Sequence, residues 1–184
     1  YELRNRFNMP DYRRAFVAGG TWLFTVNLLQ RQSSQLLVEH IELLRQVVSE
    51  VRHKYPFKID AWVVLPEHMH CVWTLPPDDS DFSTRWRLIK SGFSRRIPKK
   101  ENRSAVRLRN NERGIWQRHY WEHLIRDELD FQRHLDYIHM NPVKHGWVRQ
   151  VKDWPYSTFH RYVQEGVYSL DWCGVADEAI MAGE

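Results

Sequence analysis

The chain has 184 residues, a formal net charge of +4 and 42% hydrophobic residues, with nine Trp, eight Tyr and eight Phe. That length and aromatic content suit one globular domain spanning residues 1–184 and exclude a disordered chain. A mean hydropathy of −0.63 and the lack of a long apolar run exclude a transmembrane helix. No charged segment leading into an apolar run opens the sequence, and Cys71 and Cys173 are too few for a disulfide framework, so a cytoplasmic protein is expected.

Arg4, Arg6, Arg13 and Arg14 form a basic arm within about residues 1–20. Thr21 to Leu28 alternates, with Trp22, Phe24, Val26 and Leu28 on one face, which predicts a half-buried strand. Ser33 or Ser34 can cap a helix from about Gln35 to Lys54, where Leu36, Leu37, Ile41, Leu44, Val47, Val48 and Val51 keep helical spacing before Pro56. Phe57–Leu65 and His68–Leu75 read as strands joined by Pro66-Glu67, and so short a link predicts an antiparallel hairpin. After the loop 76–81, Asp81 or Ser83 can cap a helix carrying Trp86, Ile89 and Phe93. The segment from Arg95 to Arg113, interrupted by Pro98, reads as a mobile loop. Ile115 to Arg126 predicts a fourth strand. Asp127 caps a further helix from Glu128, with Phe131, Leu135 and Ile138 on its buried side, and Pro142 predicts its end near Met140. Aromatic turns follow Gly146, and an acidic tail occupies about residues 173–184. The order of strands and helices is the split β-α-β pattern of an α+β, ferredoxin-like (RRM-like) antiparallel sheet with packed helices.

Two local features point to chemistry. Between Arg85 and Arg113 stand eleven basic residues (Arg85, Arg87, Lys90, Arg95, Arg96, Lys99, Lys100, Arg103, Arg107, Arg109 and Arg113) against Glu101 and Glu112, more than the whole net charge of +4. A solvated surface is the ordinary explanation, but such a concentration suits a polyanion, above all nucleic acid. The second feature is His68-Met69-His70. On a strand the two imidazoles share a face while Met69, Cys71, Trp73 and Leu75 take the other, which reads as core. Two imidazoles side by side can bind a divalent metal with part of its shell open. Cys71 points away from them, and without a CxxC pattern a zinc site is not indicated. Tyr137 and Asn141, four residues apart on the last predicted helix, project the same way. A tyrosine hydroxyl can attack a phosphodiester, and Mg²⁺ or Mn²⁺ held by His68, His70 and a carbonyl oxygen would polarise that phosphate.

Pro66-Glu67-His68-Met69-His70 resembles the His-hydrophobic-His (HUH) motif of single-tyrosine transposases, and Leu135 to Trp147 resembles their tyrosine helix. Tyr12-Arg13-Arg14 with Gly20–Leu28, Trp116-Gln117 with Tyr120–His123, and Trp154–Thr158 narrow the likeness to the REP-associated tyrosine transposases, from about Tyr12 to about Trp172. The resemblance implies an HUH endonuclease fold. It also implies a protein that binds a REP-type DNA hairpin with a single-stranded guide, then cleaves and rejoins single-stranded DNA through a 5′-phosphotyrosine. It assigns Tyr137 as nucleophile and His68 and His70 as metal ligands, with Mg²⁺ or Mn²⁺ as the ion. Related insertion-sequence enzymes use Gln four residues after the tyrosine, and Asn141 offers the same carbonyl on a shorter arm. Arg13 and Arg14 would contact the guide; Arg85, Arg87, Lys90, Arg95, Arg96, Lys99 and Lys100 would contact the hairpin backbone. A monomer, bacterial and associated with the nucleoid, is implied.

The other histidines read as surface or structural, although Glu67 and His123 have the chemistry to assist proton transfer. One or two Trp can stack unpaired bases, but nothing in the sequence singles them out. The competing reading is a hairpin-binding regulatory or architectural protein that does not cleave; it has no need of His68, His70 and Tyr137 together. A replication-initiator or relaxase nuclease shares the chemistry and fits the flanking segments less well.

Overall fold

The computed structural model describes residues 16–101, 103–110 and 112–174. Arg4, Arg6, Arg13, Arg14 and most of the acidic tail lie outside them. Four strands, β1 (Thr21–Asn27), β2 (Lys58–Val64), β3 (His68–Thr74) and β4 (Trp121–Leu124), form one antiparallel sheet in the order β2-β3-β1-β4. This is the ferredoxin-like order expected from the split β-α-β pattern. β1 lies in the sheet interior: Trp22, Phe24 and Val26 on its first face are buried as expected, and on its second Leu23 is buried while Thr21, Thr25 and Asn27 are partly exposed.

One face of the sheet carries Trp22, Phe24, Val26, Trp62, Met69, Cys71 and Trp73, and packs on α2 (Ile41–Lys54) and α3 (Phe82–Arg96) through Leu44, Val47, Val51, Phe82, Trp86, Ile89 and Phe93. Aromatic rings dominate it; Trp73 stacks on Trp86 at 4.2 Å between centroids. The other face carries Leu23, Ala61, Val63 and Val72 and is covered by α5 (Glu128–Lys144) through Leu135 and Ile138, with Val151, Trp154 and Phe159 of the following segment. Edge strand β2 is capped rather than left open: Val64 N–H donates to Tyr156 O, and Trp62 N–H to the Thr158 hydroxyl. The short helix α6 (Phe159–Gln164) follows.

Several boundaries differ from the sequence expectation for local reasons. The helix expected over 35–54 is two, α1 (Leu36–Glu39) and α2, bending at His40. The first is tied to the β2–β3 turn by Leu37 N–H to Pro66 O, while the second runs along the aromatic core. β4 spans only four residues: Trp116 makes an isolated bridge to Leu28, and residues 118–120 leave the sheet so that Tyr120 packs on Phe24 and Trp86. Helix α5 runs through Pro142 to Lys144. Proline in the last turn forfeits one backbone bond, and the helix still closes with His145 N–H to Asn141 O before Gly146 turns the chain at φ 71°. Asp81 and Asp127 cap α3 and α5 as expected, accepting from the N–H groups of Thr84 and Asp130 at 2.8 Å each.

The basic segment is also more ordered than a featureless loop. It contains α4 (Ala105–Arg109), and Arg113 binds Glu101 through Nε and Nη2 at 2.6 and 2.7 Å and the carbonyls of Ser94, Ile97 and Pro98. The Arg113 bond holds the Glu101 carboxyl down at about 2, against an ordinary 4.5. This clamp is complete above the ordinary carboxylate value and is lost only as pH falls towards that lower one. Arg85 is not a surface cation: it is 1% exposed and donates to the carbonyls of Tyr55, Pro56 and Asp81 and to the Asp79 carboxylate. Its placement removes it from the set expected to contact DNA.

Replacing Arg85 with Met strands those acceptors and is expected to cost about 3 kcal/mol, read as a lower thermal midpoint. Arg87→Ala, at an exposed position of the same helix, should leave the midpoint unchanged; equal midpoints for both variants would contradict the structural role of Arg85. Arg113→Ala is expected to open the segment to trypsin at Lys99 and Lys100 without global unfolding. An unaltered digestion pattern would mean that other contacts hold the segment.

Candidate active site

The register of β3 sets the site. Because Met69, Cys71 and Trp73 enter the aromatic core, His68 and His70 point to the opposite face, beneath α5. Both are buried, at 1% and 0% exposure, with ring centroids 4.9 Å apart and planes at 86°. Each ring is oriented through Nδ1. His68 Nδ1 donates to Glu67 Oε1 at 3.0 Å, and His70 Nδ1 is bonded to the Thr25 hydroxyl at 2.8 Å. Thr25 is the cross-strand partner of His70. Burial pushes the Glu67 carboxyl up, but its hydrogen bond with His68 brings it below its ordinary value. Glu67 is therefore an ionised acceptor that fixes the His68 tautomer, with Nδ1 protonated and the Nε2 lone pair available. That bond orients the His68 ring.

Helix α5 supplies the remaining groups. Leu135 and Ile138 seat it on the sheet, and Tyr137 between them meets His70 edge to face, with centroids 5.3 Å apart. Lys144 Nζ lies 5.1 Å from the Tyr137 ring centroid. Asn141, one turn beyond Tyr137, is fully buried, and neither its Oδ1 nor its Nδ2 has a hydrogen-bond partner among the described residues. The same holds for His68 Nε2. Buried polar atoms are normally bonded, and the imidazole nitrogen of His68 and the amide oxygen of Asn141 are both of a chemical type that can bind a cation. His145, which reads from sequence as surface or structural, is exposed and sits against His68 with centroids 5.0 Å apart. Only its position just beyond the tyrosine helix signalled this, and Thr25 carried no signal apart from strand pairing.

Two expectations separate from this site. Helix α3, with Arg87, Lys90, Arg95 and Arg96, packs on the opposite face of the sheet. Arg87, Arg95, Lys99 and Lys100 are exposed, whereas Arg96 is paired with Glu50 and Lys90 donates to Gln117 O. His123 is bonded to Asp130 at 2.9 Å, and Asp130 also lies 3.1 Å from His134 Nδ1. These three side chains offer ligand atoms within 4.8 Å of one another. Asp130 already bonds His123, and His134 Nδ1 bonds Asp130 O at 2.7 Å.

A family model described as "Transposase IS200 like" matches residues 25–141, a span that opens on Thr25 and closes on Asn141. A REP-associated tyrosine transposase of Escherichia coli K12 is 54% identical over 166 residues, covering 90% of this chain and 92% of the relative. A second relative, from Haemophilus influenzae and named for the same group, is 44% identical, covering 92% of this chain and 96% of its own. This chain belongs to the REP-associated tyrosine transposases. A solved REP-associated tyrosine transposase, described as bound to a REP hairpin, shares the fold at a TM-score of 0.78. It is 51% identical and covers 91% of this chain and 93% of its own. Among the described residues of this REP-associated transposase, no helix is long and apolar enough to cross a membrane.

The unsatisfied amide gives a stability test. In metal-free buffer Asn141→Leu is expected to stabilise the protein by about 1 kcal/mol, roughly 2–4 °C in thermal midpoint, by removing buried unbonded polar atoms. A fall in the midpoint would show that the amide serves the packing instead.

Proposed function

We propose that this protein binds a REP-type DNA hairpin and cleaves and rejoins adjacent single-stranded DNA through a 5′-phosphotyrosine on Tyr137. The observation that carries this reading is the meeting of Tyr137 with His70, and of His70 with His68, within one chain. In the cleavage step Tyr137 Oη loses its proton to water, attacks the phosphorus and forms the Oη–P bond. The P–O3′ bond breaks, and the 3′ oxygen takes up a proton to leave as a hydroxyl. One phosphodiester replaces another, so attack by a 3′-OH reverses the step and rejoins strands without an external energy source. Lys144, near the Tyr137 ring, favours both the phenolate and the approaching phosphate.

His68, His70 and Asn141 would hold Mg²⁺ or Mn²⁺, which when bound supplies positive charge to the scissile phosphate and to the departing oxygen. Glu67 and Thr25 hold the two rings in place for that ion. Arg87, Arg95, Lys99 and Lys100 are the exposed cations proposed to contact the hairpin backbone, on the side of the sheet away from the cleavage site. Arg13 and Arg14 are proposed contacts to the guide. The proposed working form is a monomer in the bacterial cytoplasm on nucleoid DNA, a reading supported by the contact of Tyr137 with His70 of its own chain.

The test is incubation with a REP-type hairpin carrying a single-stranded arm and Mn²⁺, followed by denaturing electrophoresis. Wild type should form a covalent adduct, Tyr137→Phe should bind the hairpin without one, and His68→Ala should lose both the adduct and the Mn²⁺-induced rise in thermal midpoint. Tight hairpin binding by wild type with no adduct under any divalent metal would overturn cleavage and leave a hairpin-binding protein.

A further inference from the structure

We propose that Trp121 is the base-stacking site for the single strand presented to Tyr137, an inference that rests on the cleavage reading above. The register places it. Thr25 pairs with His70 on one side and with Trp121 on the other, so the three side chains form one row on one face of the sheet. At about 4.8 Å per strand, the row spans roughly 10 Å of backbone. Helix α5 packs on β2 and β3, where it covers the histidines. Trp121, on edge strand β4, is 44% exposed.

The other tryptophans are otherwise engaged. Trp22, Trp62, Trp73, Trp86 and Trp154 are buried, Trp116 donates from Nε1 to Lys90 O, and Trp172 packs on Tyr168. Trp147, at 40% exposure, lies beyond α5 against Trp154. Trp121 is both exposed and in line with a catalytic histidine.

Its ring is also held in advance of any ligand. Trp121 lies parallel to His123, with planes at 4° and centroids 5.9 Å apart, and His123 stacks in turn on His134 at 4.7 Å. Asp130 locks the inner part of this column by bonding His123 Nε2 at 2.9 Å and approaching His134 Nδ1 at 3.1 Å. An aromatic column fixed at its inner end and open at its outer one suits the π-face of a base, whatever its identity. Arg126, two residues beyond β4, is paired with Asp130 at 3.5 Å and keeps its side chain 74% exposed at the outer end of this column. The occupant is an unpaired base flanking the scissile phosphate, and its effect is to hold that phosphate against Tyr137.

The experiment uses the full chain and a hairpin whose single-stranded arm carries 2-aminopurine at successive positions around the mapped cleavage site. Wild type should quench the fluorophore at one flanking position. Trp121→Phe should retain the quenching, and Trp121→Leu, which keeps apolar bulk without a π-face, should lose it. With Trp121→Leu the KM for the arm should rise roughly 5- to 150-fold, the range that loss of one stacked base implies, while kcat and hairpin affinity change little. Trp121→Ala should behave like Trp121→Leu; if it fails to fold, the Leu and Phe variants carry the comparison. Adduct formation by Trp121→Leu with wild-type quenching and KM would overturn the stacking role and leave the cleavage reading intact. Failure of wild type to form an adduct with any arm would overturn both.

Discussion

The parity of β3 is the constraint on which the rest of the molecule depends. Side chains alternate along a strand, so insertion of Met69, Cys71 and Trp73 among the aromatic rings of α3 obliges His68 and His70 to face the other way. Trp73 is held from several sides, by Phe24, Phe57, Trp62 and Trp86. A slip of one residue would drive two imidazoles into that apolar layer and lift the indole out of it. The aromatic core, which touches no reacting atom, thus aims the histidines. β3 is also paired on both edges, with β1 and β2, so its register is fixed twice.

The second face differs from that of a minimal ferredoxin-like sheet. In the split β-α-β arrangement both crossover helices lie on one side, here α2 and α3, leaving the other side open. Helix α5 closes part of it, and the polar groups are concentrated beneath that helix. Burial beneath α5 excludes water from the His68–His70 pair, strengthening any charge interaction there. It also makes unsatisfied atoms such as His68 Nε2 and the Asn141 amide costly to keep buried. The continuation of α5 through Pro142 belongs to the same arrangement, since it carries Asn141 within a regular helix and delivers Lys144 and His145 to the site's margin.

Much of this was legible in the sequence because it follows from local rules. Alternation in His68–Leu75, the two Asp caps, the brief Pro66-Glu67 link and the i, i+4 relation of Tyr137 to Asn141 need only strand and helix geometry. What escaped depended on tertiary partners. Arg85 reads as one cation among eleven, and only the convergence of three carbonyls and Asp79 makes it an internal clamp. Pro142 reads as a terminator because the rule is local, yet so near the helix end it removes a single bond. Thr25 lies two strands away in sequence from the histidine it orients, and Trp121 became distinct from the other tryptophans only through β1–β4 pairing. The bend at His40 likewise reflects competing attachments to the β2–β3 turn and the core.

The central claim is that His68, His70 and Tyr137 of the same chain form one cleavage site. Mixing two inactive variants, Tyr137→Phe and His70→Ala, and assaying for the DNA adduct tests it directly. A site assembled within each chain predicts that the mixture stays inactive at every protein concentration at which wild type cleaves. Restored adduct in the mixture would contradict it, because the tyrosine of one molecule would then be serving the histidines of another.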